Sequence, residues 1–190
     1  KGMFSMFKPK SEQKLNDAHF GEDEDAELIA APNMSGKTFY LKALIMVVLS
    51  GLNTGFLPAE SGTMPLFDYI VYLDRVTTKL DRNLSALGNE VVLWKKFFNV
   101  LKSNMTVFAA ACVDEAFSTT SPKYQASLVY AIVMQMIKQG QYLAIASHNH
   151  DVLNVLRDLE KDLLTAYTFK IRIDKDTGKV DFDYKLKKLE

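Results

Sequence analysis

Four stretches of the chain are apolar almost without interruption, and each gives way abruptly to polar residues: 27–31 (ELIAA), 68–73 (DYIVYL), 105–113 (MTVFAAACV) and 142–146 (YLAIA). Runs of this length read as strands, and a strand apolar on both sides of its pleat has to be covered on both faces. Helical patterns lie between them. Segment 37–52 (KTFYLKALIMVVLSGL) is apolar nearly all round, which predicts a deeply buried helix. Over 83–104, Leu84, Leu87, Val91, Trp94, Phe98 and Leu101 recur at three- and four-residue spacings, and Trp94 reads as core packing on that face. Segment 122–139 has Ser121 as N-cap, Pro122 at the first helical position and Gly140 at the stop. A further helix opens at Asp151 and runs to about Leu163. Strands alternating with helices predict an α/β domain with a mainly parallel sheet, whose ligands sit beyond the C-terminal strand ends.

The C-terminus changes character. Phe169, Ile171 and Ile173 alternate with charged residues, and after the turn at 176–179 so do Val180, Phe182, Tyr184 and Leu186. This predicts an amphipathic hairpin with one face packed and one wet. The first twenty residues show no sustained periodicity. A chain of 190 residues fits one domain with a substantial core. The 23 basic residues balance 23 acidic ones, so the basic excess of a nucleic-acid-binding surface is missing and direct DNA affinity is not expected. The acidic block at 22–25 (EDED) reads as a solvated loop. Neither a leader pattern nor a membrane-length apolar run occurs, and the lone Cys112 lies within an apolar run, which together predict a reducing, cytoplasmic setting.

The first strand enters Ala31-Pro32-Asn33-Met34-Ser35-Gly36-Lys37-Thr38, a phosphate-loop pattern with alanine at its first position. Backbone N–H groups of such a loop and of the following helical turn surround phosphate oxygens. Gly36 lets the backbone approach, Lys37 reaches the β- and γ-phosphates, and the Thr38 hydroxyl suits Mg²⁺. Asp114 and Glu115 emerge from the end of the 105–113 run. A carboxylate there can hold Mg²⁺, and its neighbour can orient or deprotonate a water. His148 follows the next strand, where it either donates to a γ-phosphate or serves as a polar strand cap. His19 and His150 read as solvated surface, and the 148–150 run lacks the further ligands that a metal site needs.

These segments, in this order, resemble the C-terminal ATPase domain of the MutS family of ABC-type ATPases. APNMSGKTFYLKA is similar to that family's GPNMSGKSTYLR loop, and TGFLPAESG to the segment after the loop helix. CVDEAFSTTS resembles the family's LLDE strand and its GTS loop, ASHNHD its A-T-H-x-H-E, and DYKLK the end of its hairpin. The resemblance covers about 15–187, leaving 1–14 as an N-terminal extension before a domain at 15–190. It implies a P-loop NTPase fold, Mg²⁺-dependent hydrolysis of ATP, and an ATP sandwiched between two protomers of a homodimer. Lys37 and Thr38 then take the phosphate and Mg²⁺ roles, Asp114 holds Mg²⁺, Glu115 is the catalytic carboxylate and His148 the γ-phosphate switch. Ser85 matches the signature serine, with Glu90 five positions on as in the family, and Thr120 and Ser121 match a loop that also faces the partner.

The departures lie in the parts that act across the dimer. The family's S-T-F-M is Ser-Ala-Leu-Gly here, and the glycines after the Asp-Glu pair are replaced by Phe117 and Thr119. The family's mismatch-reading, connector, lever, clamp and helical dimerisation regions are not in this sequence, so the resemblance implies an excised domain or a divergent relative, with DNA and any membrane attachment handled elsewhere. Three expectations follow: an ATPase engine for DNA-handling parts, a nucleotide-gated dimerisation module with little hydrolysis, or another ABC-type head. The lack of an LSGGQ-like signature counts against the third.

Overall fold

The computed structural model of the chain describes residues 2–3, 14–19, 26–74, 84–104, 106–157, 164–173, 178 and 180–189. The acidic block at 22–25, Met105, the end of the fourth helix and most of the hairpin turn lie outside them. The elements run β1 (Ala26–Ala30), α1 (Lys37–Thr54), β2 (Tyr69–Leu73), α2 (Ala86–Ser103), β3 (Ala109–Asp114), α3 (Pro122–Lys138), β4 (Tyr142–Ser147), α4 (His150–Arg157), β5 (Leu164–Ile173) and β6 (Val180–Lys188). The strands form one six-stranded sheet in the order β2-β3-β4-β1-β5-β6. Every pairing is parallel except β5 with β6, as a mainly parallel α/β sheet with a C-terminal hairpin requires.

The pleat divides the apolar residues between two cores. Ala109, Ala111, Val113, Leu143 and Ile145 face Trp94, Phe97 and Leu101 of α2, the apolar stripe of α3, and Val152 and Leu156 of α4. Ala110, Cys112, Tyr142, Ala144 and Ala146 face Tyr40, Leu41, Leu44, Val47 and Val48 of α1. Burial pushes the Cys112 thiol well above its ordinary range, which leaves it a small inert hydrophobe.

Three expectations are corrected. Helix α1 is not buried all round: Phe39 and Leu49 stay exposed, because one stripe is all that a helix lying on a sheet can bury. The buried face of α2 is rotated from the expected one, taking in Asn89, Glu90, Trp94, Phe97 and Leu101 and leaving Val91 exposed. The hairpin is packed on one face only in part. Phe169 is buried, but Ile171, Val180 and Tyr184 are exposed beyond a register shift between Phe169 and Ile171. That half of β5 extends past its parallel neighbour, whose pairing ends at Tyr167.

Candidate functional site

Sheet register brings the chemistry together. Leu73 pairs with Val113, Asp114 with Ala146, and Ala30 with Ser147, so four C-terminal strand ends lie level along one edge. The residues immediately after them are Asp74, Glu115, His148 and the loop that begins at Ala31.

The loop turns through left-handed backbone at Met34 (φ 67°) and Gly36 (φ 106°) before α1 begins. Gly36 is the N-cap and supplies no capping side chain, and no acidic residue stands in the first turn, so the opening N–H groups are left for an anion. A Cβ on Gly36 would come within 3.1 Å of the Tyr184 ring and 4.0 Å of Phe169, so the hairpin backs the loop directly. The buried Lys37 ammonium donates to the carbonyls of Ala31 (2.7 Å) and Pro32 (3.0 Å) and lies 3.6 Å from Glu115 Oε1. Thr38 Oγ1 donates to Asp114 Oδ2.

Glu115 adopts φ 58°, and its own N–H donates to Ala146 O at 3.0 Å. Its carboxylate sits between Lys37 and His148, whose Nδ1 is 2.6 Å from Oε1. Burial raises the Asp114 carboxyl above its ordinary range; the Thr38 hydroxyl opposes that shift and the neighbouring Glu115 charge adds to it.

Loop and carboxylates enclose a cavity of about 470 Å³, bounded by Asn33, Met34 and 36–39 on one side and by Asp74, Asp114 and Glu115 on the other. Ser35 is buried behind it, and Ala31 and Pro32 contribute carbonyls to Lys37. His148 reaches the cavity only through Glu115, and Ser85, Thr120 and Ser121 do not line it. Ser85 instead caps α2, accepting from Gly88 N at 3.0 Å. Trp94 is core packing, as expected, and His19 is exposed.

Sequence reasoning missed Asp74. The signal was available, an acid directly after an apolar strand as at Asp114, but nothing local says that β2 is the neighbour of β3.

The donor set suits Mg²⁺. Asp114 Oδ1, Glu115 Oε2 and Ser35 Oγ are buried without a hydrogen-bond partner, and unsatisfied buried oxygens point to a further ligand. Among the described residues no cluster of three or more His, Cys, Asp or Glu forms a closed metal cage. Magnesium is ordinarily held through one or two carboxylates together with substrate phosphates and water, and Asp114 and Glu115 are the carboxylates that could take that part.

The family model of MutS domain V matches residues 27–190. The DNA mismatch repair protein MutS of Lactobacillus gasseri is 28% identical over 172 residues, 90% of this chain and 19% of that protein. The protein of the same name from Listeria welshimeri is 27% identical over 174 residues, with the same shares. The MutS protein homolog him-14 of Caenorhabditis elegans is 28% identical over 137 residues, 72% of this chain and 16% of that protein. The chain therefore spans about a fifth of the length of the bacterial relatives it matches. With a family model that takes in nearly all of it, the chain belongs to the MutS family and corresponds to that family's domain V.

Proposed function

We propose that this chain is the ATP-binding and ATP-hydrolysing domain of a MutS-like protein that acts in DNA mismatch repair or recombination, with the fold of an ABC-type P-loop NTPase. One observation carries the reading: Lys37, Thr38, Asp114 and Glu115, from two strand ends far apart in sequence, converge on a single cavity.

Lys37 and the opening N–H groups of α1 bind the β- and γ-phosphates, and the left-handed turn at Gly36 lets the backbone close on them. Thr38 and Asp114, already joined by a hydrogen bond, would hold Mg²⁺. When bound, the ion neutralises phosphate charge that grows during phosphoryl transfer. Glu115 orients a water and accepts its proton; the carboxylate is kept in place by the 2.6 Å contact with His148 Nδ1 and by Lys37. His148, nearly half exposed, is free to report on the phosphate end of the site.

Ser85, Thr120 and Ser121 serve the partner protomer's nucleotide in a head-to-tail homodimer. Their placement off the cavity supports this, since they take no part in their own chain's site. DNA is handled by regions outside this chain. Glu115→Gln should keep ATP affinity and lose at least about 100-fold in steady-state turnover. Unchanged phosphate release would overturn the assignment.

A second reading, a nucleotide-gated dimerisation module with little hydrolysis, is favoured by Phe117, which forces a bulky residue into left-handed backbone beside the catalytic carboxylate.

A further inference from the structure

The buried stripe of α2 begins with polar side chains. Glu90, Trp94, Phe97 and Leu101 fall at i, i+4, i+7 and i+11, and the first of them, 4% exposed, stands with the buried Asn89 at the head of an otherwise apolar face. A carboxylate taken out of water there is costly unless it is well hydrogen-bonded. Glu90 Oε1 accepts from the backbone N–H of Phe117 at 2.8 Å.

That N–H belongs to an unusual turn. Glu115 and Phe117 both have positive φ, 58° and 53°, although neither is glycine. Such residues persist only where the surroundings over-determine them. Here three elements do so. Strand β4 takes the Glu115 N–H through Ala146 O at 3.0 Å. Helix α3 reaches the Ala116 carbonyl through Gln125 Nε2 at 2.6 Å. Helix α2 takes the Phe117 N–H through Glu90, and the Phe117 ring itself is 2% exposed in the core.

We propose that Glu90 is a positioning residue for hydrolysis: from α2 it holds the 115–117 turn in the conformation that aims the Glu115 carboxylate at Lys37 and His148. The inference rests on the reading of Glu115 as the hydrolytic carboxylate. Without the acceptor, the Phe117 N–H is left buried and unpaired, and the turn relieves this by relaxing. A displacement of about 1 Å at the reacting group costs on the order of 100-fold in rate. Nucleotide binding should escape, because Glu90 does not line the cavity that the loop at 31–38 encloses.

The test compares Glu90→Ala, Glu90→Gln and Glu115→Gln in the full chain, reading nucleotide affinity, kcat and KM, with circular dichroism to verify folding. Glu90→Ala should lower kcat at least about 10-fold with KM and nucleotide affinity within about twofold. Glu90→Gln, which keeps a carbonyl acceptor, should restore kcat to within about threefold of the unmutated protein. Should the alanine variant fail to fold, Glu90→Asp, whose acceptor is withdrawn by one methylene, carries the same expectation. The Phe117 amide of the unmutated protein should also exchange with solvent as slowly as the amides within α2.

A kcat for Glu90→Ala or Glu90→Asp within twofold of the unmutated protein, or fast exchange at Phe117, overturns the proposal. Hydrolysis that survives in Glu115→Gln instead sinks the reading beneath it, which keeps the two failures apart.

Discussion

Phe117 stands where the resemblance to the MutS family leads one to expect glycine, and its backbone is of the kind glycine adopts freely. At φ 53° a residue with a Cβ costs about 1–2 kcal/mol. The ring is almost wholly buried, which offsets that cost by roughly 1.5–3 kcal/mol of hydrophobic burial. Packing has thus taken over from conformational freedom. Thr119, at the other substituted glycine, has no positive φ, and its side chain meets no such penalty. Asp114 shows the opposite balance, a carboxyl kept buried at the expense of stability. Its carboxyl is raised by burial, so the folded chain holds the proton more tightly than the unfolded chain does. The stability it contributes is full below the unfolded value of 3.8 and is lost as pH rises through the raised folded value. Asp114→Asn, which cannot ionise, should gain about 0.5–2 kcal/mol near neutral pH while losing Mg²⁺-dependent nucleotide binding. Urea denaturation across pH checks it: the gain should shrink toward pH 4, and a pH-independent difference would count against the buried-charge account.

At the scale of elements, the hairpin of β5 and β6 is a backing for the phosphate loop as well as a sheet edge. Tyr184 lies in the irregular part of β6, itself at φ 53°, and its ring sits against Gly36. Its carbonyl accepts from Asn16 Nδ2 at 3.0 Å, which ties the segment at 14–19 into the same contact. Gly36→Ala meets two separate obstacles, a backbone at φ 106° and a ring 3.1 Å from the new Cβ. We expect it to cost about 1–3 kcal/mol in thermal or urea denaturation and to abolish nucleotide binding. Adding Tyr184→Ala removes the second obstacle and not the first, so the double variant should recover only part of the stability. Full recovery would show that the backbone of the loop tolerates a side chain. The fold around this contact was largely legible beforehand. Strand–loop–helix order, the Pro122 helix start and the alternating hairpin all follow local patterns. The rotated face of α2 was not legible, because a periodicity count treats Glu90 as polar and solvent-facing, whereas its partner, the Phe117 N–H, is 27 positions away.

For the whole molecule, the cavity uses one chain's residues and leaves Ser85, Thr120 and Ser121 outside it. Tyr124, three residues after Ser121 in the first turn of α3, is exposed, and so is Met34 on the loop that bounds the cavity. If a second protomer completes the site, ATP with Mg²⁺ should shift the chain from monomer to dimer in light scattering, and Glu115→Gln should hold the dimer longer by blocking turnover. A mass that stays monomeric at saturating nucleotide would remove the shared-site reading and leave a self-contained ATP site. Dimers that form without phosphate release would favour the gating module instead.

The loop from Ala31 to Thr38, the strands that end in Asp114-Glu115 and at Ser147-His148, and the alternation that makes a parallel α/β sheet can all be read along the chain. Each is a local pattern, readable because backbone propensity and burial periodicity act over a few residues. That β2 and β3 are neighbours, which brings Asp74 to the cavity, emerges in the folded sheet alone. The folded chain likewise places the hairpin against Gly36 and brings Glu90 to the 115–117 turn. Those contacts join segments 27 to 148 positions apart. They exist because the strand ends lie level and the helices bury one stripe each, and no short window of sequence encodes either condition.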